Sequence, residues 1–549
     1  MRFTVLLCAW MLLLPVFALC QTPDEVVLPG YATSMKYLND QIMGDTTATG
    51  ARVNANRTYV LKRNEIYIVV SSIRNAAWKL RIRAEAGTGK KPVVYTFKNP
   101  STNAYIGMQF DVRGDLWLKN IAFVGWSTLA TDLSVMPPRI IQVNSTGNTV
   151  EVDSCVLVGT RAATIETPSA TKRLQVTNTT FAQSGNLFAT NIGNGRPIDC
   201  RNVSIDSVIV RNCTFLDGTD RILRHYSSIG ALKYVFFDHN TIANSLSMHG
   251  CLGLGIVGEK VIITNNLFVD NFVLGNDSSD AVRLSEFGDT KEKGPSGAYR
   301  MTFVGSVPDT AGQAVLTQWI VRNNYYAVSS AVQTWYNSKS SLSIGNLVPL
   351  TWHINKKLGA DSVNAFKKES ITFNKLTRYL VPFATWYYDP NGANKQKVNT
   401  GFTSAIDFDR NEWNFYTDTL DLRYQTTAQA YTGADNGQPA GSLMWWKMLL
   451  TGVEKDADQN IPQSFSLAQN YPNPFNPNTK ISFSLPASGR ILLKVFNVLG
   501  QEVRTLVDAH YLAGKYEVEF DAGALSSGVY IYSLTSGNSI ASKKMTLVK

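Results

Sequence analysis

The chain has 549 residues, of which 44% are hydrophobic, and this apolar fraction excludes a wholly disordered protein. Charged residues make up 17% of the sequence, fewer than the roughly 25% usual for soluble domains, and the formal net charge is +10. Because no run of Lys and Arg accompanies this charge, we expect no nucleic-acid partner, whereas an acidic polysaccharide ligand is compatible with it.

The N-terminal residues 1–20 are predicted to be an export signal. Arg2 precedes an apolar stretch at 5–14, which is too short to span a bilayer stably. Small residues at Ala18 and Cys20 favour cleavage after Cys20. Lipidation of Cys20 and an uncleaved membrane anchor are the alternatives. Export places the four remaining cysteines where disulfides can form, although small buried thiols are the interpretation that we favour. These cysteines are Cys155, Cys200, Cys213 and Cys251.

An eight-residue phrase recurs through the body of the chain, with apolar residues at positions 1, 3 and 8 and usually Asn at position 5. It starts at Leu116, Val150, Leu174, Val208, Val235, Val261 and Trp319. The period-2 alternation predicts strands, and the repeat interval predicts a stacked repeat architecture. The last interval spans two coils, or one coil with an insertion at 278–312.

The repeat predicts an all-β fold whose first and larger domain is a right-handed parallel β-helix. Positions 1, 3 and 5 would face inward, and stacked Asn side chains at position 5 would bond from coil to coil, about 4.8 Å apart. Further coil strands are predicted at 58–61, 139–143, 163–166, 221–225 and 281–284. A β-propeller needs more residues per repeat, and the Leu spacing of a leucine-rich repeat is missing.

The resemblance to a known family is clearest in residues 50–360. The phrase Val235-Phe236-Phe237-Asp238-His239 and the early segment 56–61 resemble the pectate-lyase-like β-helix superfamily. The resemblance implies a secreted protein and, in many members, a polysaccharide lyase or hydrolase. A segment from Tyr424 to Trp446 looks like the closing segment that caps such helices. The β-helix domain is therefore predicted to span residues 21–455.

Position 4 of the phrase points outward and forms a row of mostly charged residues along the predicted stack. In chain order the row reads Lys119, Asp153, Thr177, Arg211, Asp238, Thr264 and Arg322. Arg211 and Asp238 should lie on adjacent coils. Such a row is either an exposed charge ladder or the floor of a substrate groove.

A lyase needs a base and a cation that neutralises the uronate carboxylate, and arginine suits the second role. The phrase Leu223-Arg224-His225 is similar to a Leu-Arg-His-Gly motif of the alginate-lyase and chondroitinase-B family, which implies that Arg224 is catalytic. Tyr226 replaces the glycine, and Arg201-Asn202 stands near the place of the family's catalytic Lys. The alternative is a structural or binding arginine.

The candidate site follows from these patterns. If the protein is an enzyme, Arg224, Arg211 and Asp238 would carry catalysis and line one groove. Substrate contacts are assigned to Arg221, His225, Lys119, Asp153 and Arg283. Calcium is a candidate cofactor, because calcium-dependent relatives use carboxylates on neighbouring coils and Asp153, Glu166 and Asp238 could supply them. His239 occupies the ladder position and is interpreted as a buried, hydrogen-bonded histidine.

A linker at 456–464 separates the β-helix from a second domain at 465–549. Alternating strands separated by turn residues predict a small Ig-like β-sandwich there. Its opening, Asn470-Tyr471-Pro472-Asn473-Pro474-Phe475-Asn476-Pro477, closely resembles the type A C-terminal sorting domain of the type IX secretion system. The resemblance implies a diderm bacterium, the secretion machinery as a partner, and a product that is released or anchored at the cell surface.

Two functions stay open at this point. The first is a secreted enzyme, a lyase on an acidic polysaccharide or alternatively a glycoside hydrolase. The second is a non-catalytic β-helix that binds glycans or builds the cell surface. We expect a monomer in either case.

Overall fold

The computed structural model describes residues 24–125, 137–185, 195–225, 229–246, 250–271, 302–307, 317–338, 349–376, 380–387, 420–446, 454–455, 464–486, 489–511, 514–537 and 539–548. These residues form two compact units, divided between Ser442 and Leu443. The predicted signal peptide, Arg283 and linker residues 456–463 lie outside the described ranges. No helix within those ranges has both the length and the apolarity needed to cross a membrane.

The first unit is a parallel β-helix built from three sheets, which confirms the predicted fold class. Sheet 1 contains β1 (Glu25–Leu28), β2 (Thr58–Leu61), β5 (Leu80–Ala84), β8 (Leu116–Lys119), β11 (Thr149–Asp153), β14 (Thr171–Thr177), β17 (Ile205–Arg211), β20 (Leu232–Asp238), β23 (Val257–Thr264) and β26 (Gln318–Arg322). Each strand pairs in parallel with the strand one coil later, about 4.8 Å away.

The other two sheets complete each turn of the β-helix. Sheet 2 contains β3 (Ile66–Val69), β6 (Val93–Thr96), β9 (Ala122–Val124), β12 (Val156–Thr160), β15 (Thr180–Ser184), β18 (Thr214–Leu216), β21 (Thr241–Ser245), β24 (Leu267–Asn271), β27 (Asn324–Ala327) and β28 (Phe366–Lys368). Sheet 3 contains β4 (Ile73–Ala76), β7 (Phe110–Arg113), β10 (Ile141–Val143), β13 (Ala163–Glu166), β16 (Arg196–Asp199), β19 (Leu223–Arg224), β22 (Leu252–Gly253) and β25 (Val304–Gly305). From β2 to β25 the chain visits sheets 1, 2 and 3 in that order in each coil.

The eight-residue phrase stacks in register through all seven coils. Equal positions pair throughout, for example Val208 with Val235 and Arg211 with Asp238. Positions 1, 3 and 8 fill the core, except that Trp319 and Tyr326 are only partly buried against it. Thr264 pairs directly with Arg322, so the long last interval is one coil with an insertion.

The interior Asn ladder lies at position 6 of the phrase, not at position 5 as the sequence predicted. Position 5 is a left-handed residue in the turn from sheet 1 to sheet 2, with φ between 50° and 63° in all seven phrases. Asn tolerates this conformation better than most residues, which explains its frequency there. Asn240 donates to Asn266 Oδ1 at 3.0 Å, and Asn266 donates to Asn324 Oδ1 at 2.8 Å.

Short helices accompany the two ends of the stack. They are α1 (Tyr31–Ser34), α2 (Leu38–Met43), α3 (Ser330–Asn337), α4 (Trp352–Leu358) and α5 (Leu380–Tyr387), with 3₁₀ turns at Gly359–Asn364, Gln429–Tyr431, Asp435–Gly437 and Leu443–Trp446. Leu38 and Ile42 of α2 are fully buried in the core of the first coils. After the last coil, β29 (Phe373–Lys375) pairs antiparallel with β30 (Asp421–Tyr424).

The second unit contains the predicted β-sandwich. One sheet has β31 (Glu454–Lys455), β36 (Gly514–Asp521), β33 (Asn478–Leu485) and β32 (Ser466–Leu467), and the other has β35 (Glu502–Tyr511), β34 (Gly489–Asn497), β37 (Gly528–Ser536) and β38 (Ser539–Leu547). All their pairings are antiparallel. Buried residues of both sheets form one core. Phe475 of the opening motif bridges β38 at Leu547, which covers part of an otherwise open sheet edge.

Candidate functional site

On six of its eight described strands, the outer face of sheet 3 carries a charged or polar side chain at one stacked position, and Gly253 and Gly305 occupy that position on the last two strands. Phe110, Ile141, Ile165, Ile198 and Leu223 pack in the core, and strand alternation turns the next side chain to the opposite face. This set, called the sheet-3 row below, is Arg74, Asp111, Gln142, Glu166, Asp199 and Arg224.

Asp199 is the centre of the densest ion-pair network on this face. Its Oδ2 lies 3.2 Å from Nη1 of Arg224 and 3.3 Å from Nη1 of Arg196, and the Arg201 backbone N–H donates to its Oδ1 at 3.0 Å. Arg196 also donates to Asp220 at 2.8 Å. Burial alone would lower the pKa of Arg196, but the two carboxylates outweigh it and raise that pKa. Because these arginines and carboxylates pair with one another, several charged side chains stay ionised although they are buried.

The other two carboxylates of the row are also paired with arginine. Asp111 accepts from Arg74 at 2.6 Å, from Asn144 at 2.7 Å and from Arg113 at 3.3 Å. Burial opposes ionisation of Asp111, but these donors outweigh it and hold its pKa below the ordinary value. Glu166 accepts from the side chains of Arg139 and Gln142, and Arg201 Nη1 lies 3.6 Å from its Oε1.

The arginine side chains of this face are more exposed to solvent than its carboxylate side chains. The Arg74 and Arg201 side chains are 58% and 47% exposed, whereas those of Asp111 and Asp199 are 5% and 1% exposed. Arg113 and Arg139 are also partly exposed, and Glu166 is buried. Buried carboxylates thus fix the arginines, while the guanidinium groups form the accessible part of this surface.

Three predicted site residues lie on or beside this face. Arg224 belongs to the sheet-3 row, where burial lowers its pKa and Asp199 opposes that effect. The Arg221 side chain lies over Gly253, since a Cβ at 253 would be 2.8 Å from Cδ of Arg221. The His225 ring nitrogens lie 2.9 Å from Val203 O and 3.1 Å from Leu254 O, and burial lowers the pKa of His225. This histidine is held by backbone carbonyls.

The other predicted catalytic residues, Arg211 and Asp238, lie on the outer face of sheet 1. Arg211 Nε lies 3.1 Å from Asp238 Oδ2, so their predicted adjacency is confirmed. Asp238 also accepts from His239 at 3.1 Å, and its other oxygen accepts from Thr264 and Asn265. Burial opposes these donors, but together they hold the Asp238 pKa well below its ordinary value. The structure therefore does not bring this pair together with Arg224 in one groove.

Lys119 and Asp153, two predicted substrate contacts, also lie on sheet 1. Lys119 Nζ lies 3.7 Å from Asp153 Oδ2, and Asp153 Oδ1 accepts from Thr177 and Asn178 at 2.8 Å each. The position-4 residues form one continuous row, the sheet-1 row, in the order that the sequence predicts. Arg283, the remaining predicted contact, lies outside the described residues.

The three carboxylates considered for calcium do not form one site. Asp153 and Asp238 belong to sheet 1, whereas Glu166 belongs to sheet 3, and each is paired with a cationic side chain. Among the described residues, no group of three or more His, Cys, Asp or Glu side chains has a geometry that could hold a metal ion. These residues therefore do not fit the calcium site that the family resemblance implies.

His239 and the cysteines take structural positions. His239 is buried in the left-handed turn, with Nδ1 facing Asp238, and its Nε2 has no hydrogen-bond partner within the described residues. Cys155, Cys200, Cys213 and Cys251 are buried and free. Burial raises the pKa of Cys155 to about 12, so this thiol stays protonated. The interpretation of the cysteines as small buried thiols is confirmed.

Sequence reasoning missed most of the exposed arginines and the carboxylates that fix them. The missed residues are Arg74, Asp111, Arg113, Arg139, Arg196, Asp199 and Asp220. A usable signal was present, because an Ile or Leu followed by a charged residue recurs at Ile165-Glu166, Ile198-Asp199 and Leu223-Arg224. Aligning these pairs coil by coil would have revealed the row.

A comparison with known families identifies the second unit. Residues 469–548 match the family described as secretion system C-terminal sorting domain. The chain carries a C-terminal sorting domain for type IX secretion. The sorting domain implies an interaction with the type IX machinery, and the protein is secreted or attached to the cell surface. No curated protein is significantly similar to the chain.

Proposed function

We propose that the β-helix binds an acidic polysaccharide along the outer face of sheet 3. The supporting observation is the unequal exposure of the two charge signs, with buried carboxylates beneath accessible guanidinium groups. Arginine donates two parallel hydrogen bonds to a carboxylate, so it suits a uronate-containing ligand. The type IX sorting domain supports this proposal, because it delivers the protein to the compartment where such polymers occur.

A linear polymer fits the spacing of the exposed arginines better than a small anion does. Arg74, Arg113, Arg139 and Arg201 belong to different coils along one sheet. β4, which carries Arg74, and β16, which Arg201 follows, are four stacking steps apart, about 19 Å. A polymer with a charge on successive sugars can contact several of these coils at once, and the contacts then strengthen one another.

Within this proposal, the binding domain is the β-helix of the first unit, which ends at Ser442. The sequence predicted bounds of 1–20 for the signal, 21–455 for the β-helix domain and 456–464 for the linker, whereas β31 (Glu454–Lys455) pairs with β36 of the second unit. Arg224, Arg221 and His225 would support the face from beneath, because they are buried among Asp199, Asp220 and backbone carbonyls. Arg211, Asp238, Lys119 and Asp153 would stabilise sheet 1. Both assignments follow from the ion pairs and hydrogen bonds that these residues make with their neighbours.

Cleavage of the polymer by β-elimination is a second candidate function. The observation that favours it is that Arg224 of β19 and Arg201, which follows the adjacent strand β16, approach the same Asp199 oxygen, at 3.2 and 4.0 Å. Two cations so placed could neutralise a uronate carboxylate and stabilise the enolate-like transition state.

The test is a binding assay with the full-length protein and defined polymers. We expect retention by pectate, alginate and glycosaminoglycans, no retention by a neutral glucan, and loss of affinity as salt is added. Arg201→Ala should lower affinity by about tenfold, the loss of one charge-assisted hydrogen bond.

The matched control is Arg423→Ala, which removes a similarly exposed arginine that is paired with Asp421 away from sheet 3. This variant should bind like the wild type. Equal binding of neutral and acidic polymers, or equal losses in the two variants, would refute the proposal. Accumulation of unsaturated sugars, followed by their near-ultraviolet absorbance, would instead establish β-elimination.

A further inference from the structure

Residues 435–442, called the clasp below, run along the left-handed turns between sheets 1 and 2. They do not cross the end of the stack, as a closing cap would. Asp435 accepts from Arg322 at 2.6 Å and from Asn323 at 3.0 Å, and its N–H donates to Asn265 at 3.0 Å. At the other end, Ser442 N–H donates to Thr241 Oγ1 at 2.8 Å. The clasp is therefore held at both of its ends.

The clasp contacts four consecutive coils of the β-helix. Asp435 lies on the turns at Asn323 and Asn265, Gly441 N–H donates to Asn265 O at 2.8 Å, and Ser442 Oγ lies 3.2 Å from Asn212 O. These coils precede the clasp by 112 to 230 residues in the sequence. The clasp can therefore dock only after the last four coils have formed and stacked.

The fit at Gly441 shows that the clasp is closely packed. Its φ is +90°, and a Cβ there would lie 2.5 Å from Thr241 Oγ1 and 3.0 Å from Leu267 Cβ. Gly437, four residues earlier, also has a positive φ of +69°, but a Cβ there would meet nothing within 4 Å. The two glycines share the backbone constraint and differ only in steric contact, which makes them a matched pair for an experiment.

The start of the clasp is braced by an earlier residue. The Tyr424 hydroxyl is buried and lies 3.0 and 2.9 Å from the carbonyl oxygens of Ala430 and Ala440. Tyr424 belongs to β30, which pairs with β29. The contacts of the Tyr424 hydroxyl order the loop that leads into the clasp before the clasp docks. Less conformational entropy is therefore lost on docking.

We propose that residues 435–442 act as a clasp that holds the last four coils of the β-helix closed, and that its release allows those coils to open locally while the first coils stay folded. Stacked repeats permit such behaviour, because each coil contacts only its neighbours and the stability of the stack is a sum of local terms. The clasp adds contacts across several coils at once, so it couples coils that would otherwise open independently. This proposal does not depend on polysaccharide binding.

Hydrogen exchange of the full-length protein, read by peptide mass, tests the proposal. In Gly441→Ala we expect exchange at least about tenfold faster in peptides from 205–216, 232–245, 257–271 and 318–327. Peptides from 149–160 should exchange as in the wild type. Gly437→Ala, the control, should leave all these peptides close to wild type.

Asp435→Ala provides a second variant that removes side-chain contacts without a steric clash. It should accelerate exchange in 257–271 and 318–327 more than in 205–216, because the contacts of the Asp435 side chain with described residues are at the two later turns. Its control is Asp361→Ala, at an exposed position of a 3₁₀ turn. Unchanged exchange in both clasp variants, equal acceleration in Gly437→Ala, or a uniform acceleration through every coil would overturn the proposal.

Discussion

The outer faces of sheets 1 and 3 both carry a charged row in perfect register, yet the two rows differ in balance. On sheet 1 each charge of the row has a partner: Lys119 pairs with Asp153, Arg211 with Asp238, and Arg322 with Asp435 of the clasp. On sheet 3 the described arginines on and beside the row outnumber the carboxylates, and Arg74 and Arg201 among them are about half exposed. The comparison teaches that a charged row alone does not indicate a binding surface. A surface that can bind a charged ligand has more side chains of one charge sign than of the other, and those extra side chains are accessible to solvent. A surface whose charges are all paired stabilises the fold instead.

The largest expected effect comes from removing the carboxylate that fixes the sheet-3 arginines. Asp199→Ala leaves Arg224 and Arg196 with fewer counter-charges at low exposure, so we expect the free energy of unfolding to fall by about 3–5 kcal/mol. Urea denaturation followed by circular dichroism measures this. Asp206→Ala, which removes a half-exposed partner of Lys233, is the control and should change stability little. Similar losses in the two variants would contradict the buried network.

The second-largest expected loss of stability comes from changing Asp238, the carboxylate of the sheet-1 row that accepts the most hydrogen bonds. Its pKa is lower in the folded protein than in the unfolded chain, so its contribution to stability is complete above pH of about 4 and is lost as the pH falls further. Asp238→Asn should therefore lower the free energy of unfolding by about 2–3 kcal/mol near neutral pH and flatten its acid dependence. Parallel pH profiles of variant and wild type would show that another group dominates.

The sequence predicted the fold well and the site in part. Because apolar residues at positions 1, 3 and 8 face one core, periodicity was sufficient to set the register of sheets 1 and 2. The same logic predicted the sheet-1 row, since position 4 belongs to the recurring phrase. Sheet 3 follows loops of unequal length, so its residues have no constant spacing from the phrase. The proximity of Asp199 and Arg201 to Glu166 therefore could not be predicted from their spacing in the sequence.

The ladder position was wrong for a related reason. Alternation predicts an inward side chain at every second residue of a strand. It does not show that the strand ends at position 5, where the chain turns. The left-handed conformation there moves the buried amide one residue onward, to Asn240, Asn266 and Asn324. Asn serves both positions for different reasons, since one requires a residue that tolerates positive φ and the other requires a buried donor and acceptor.

A crossed pair of arginine variants tests the comparison of the two faces directly. Arg211→Ala should lower the free energy of unfolding by about 1 kcal/mol, because Asp238 keeps its other donors, and should leave polymer affinity unchanged. Arg201→Ala should do the reverse, with wild-type stability and weaker binding. Measuring both quantities in both proteins is necessary. If Arg211→Ala weakened binding as much as Arg201→Ala, the binding surface would have to include sheet 1.

The smallest expected effect is a gain in stability from His239→Asn. Position 239 is left-handed, with φ of 51°, and the buried Nε2 of His239 has no partner within the described residues. An amide there could donate one coil back, as Asn212 donates to Asn178 Oδ1 at 2.7 Å. We expect the free energy of unfolding to rise by about 0.5–1 kcal/mol. Urea denaturation of the variant and the wild type measures this change. A loss of stability would show that the hydrogen bond between His239 and Asp238 contributes more than the new amide does.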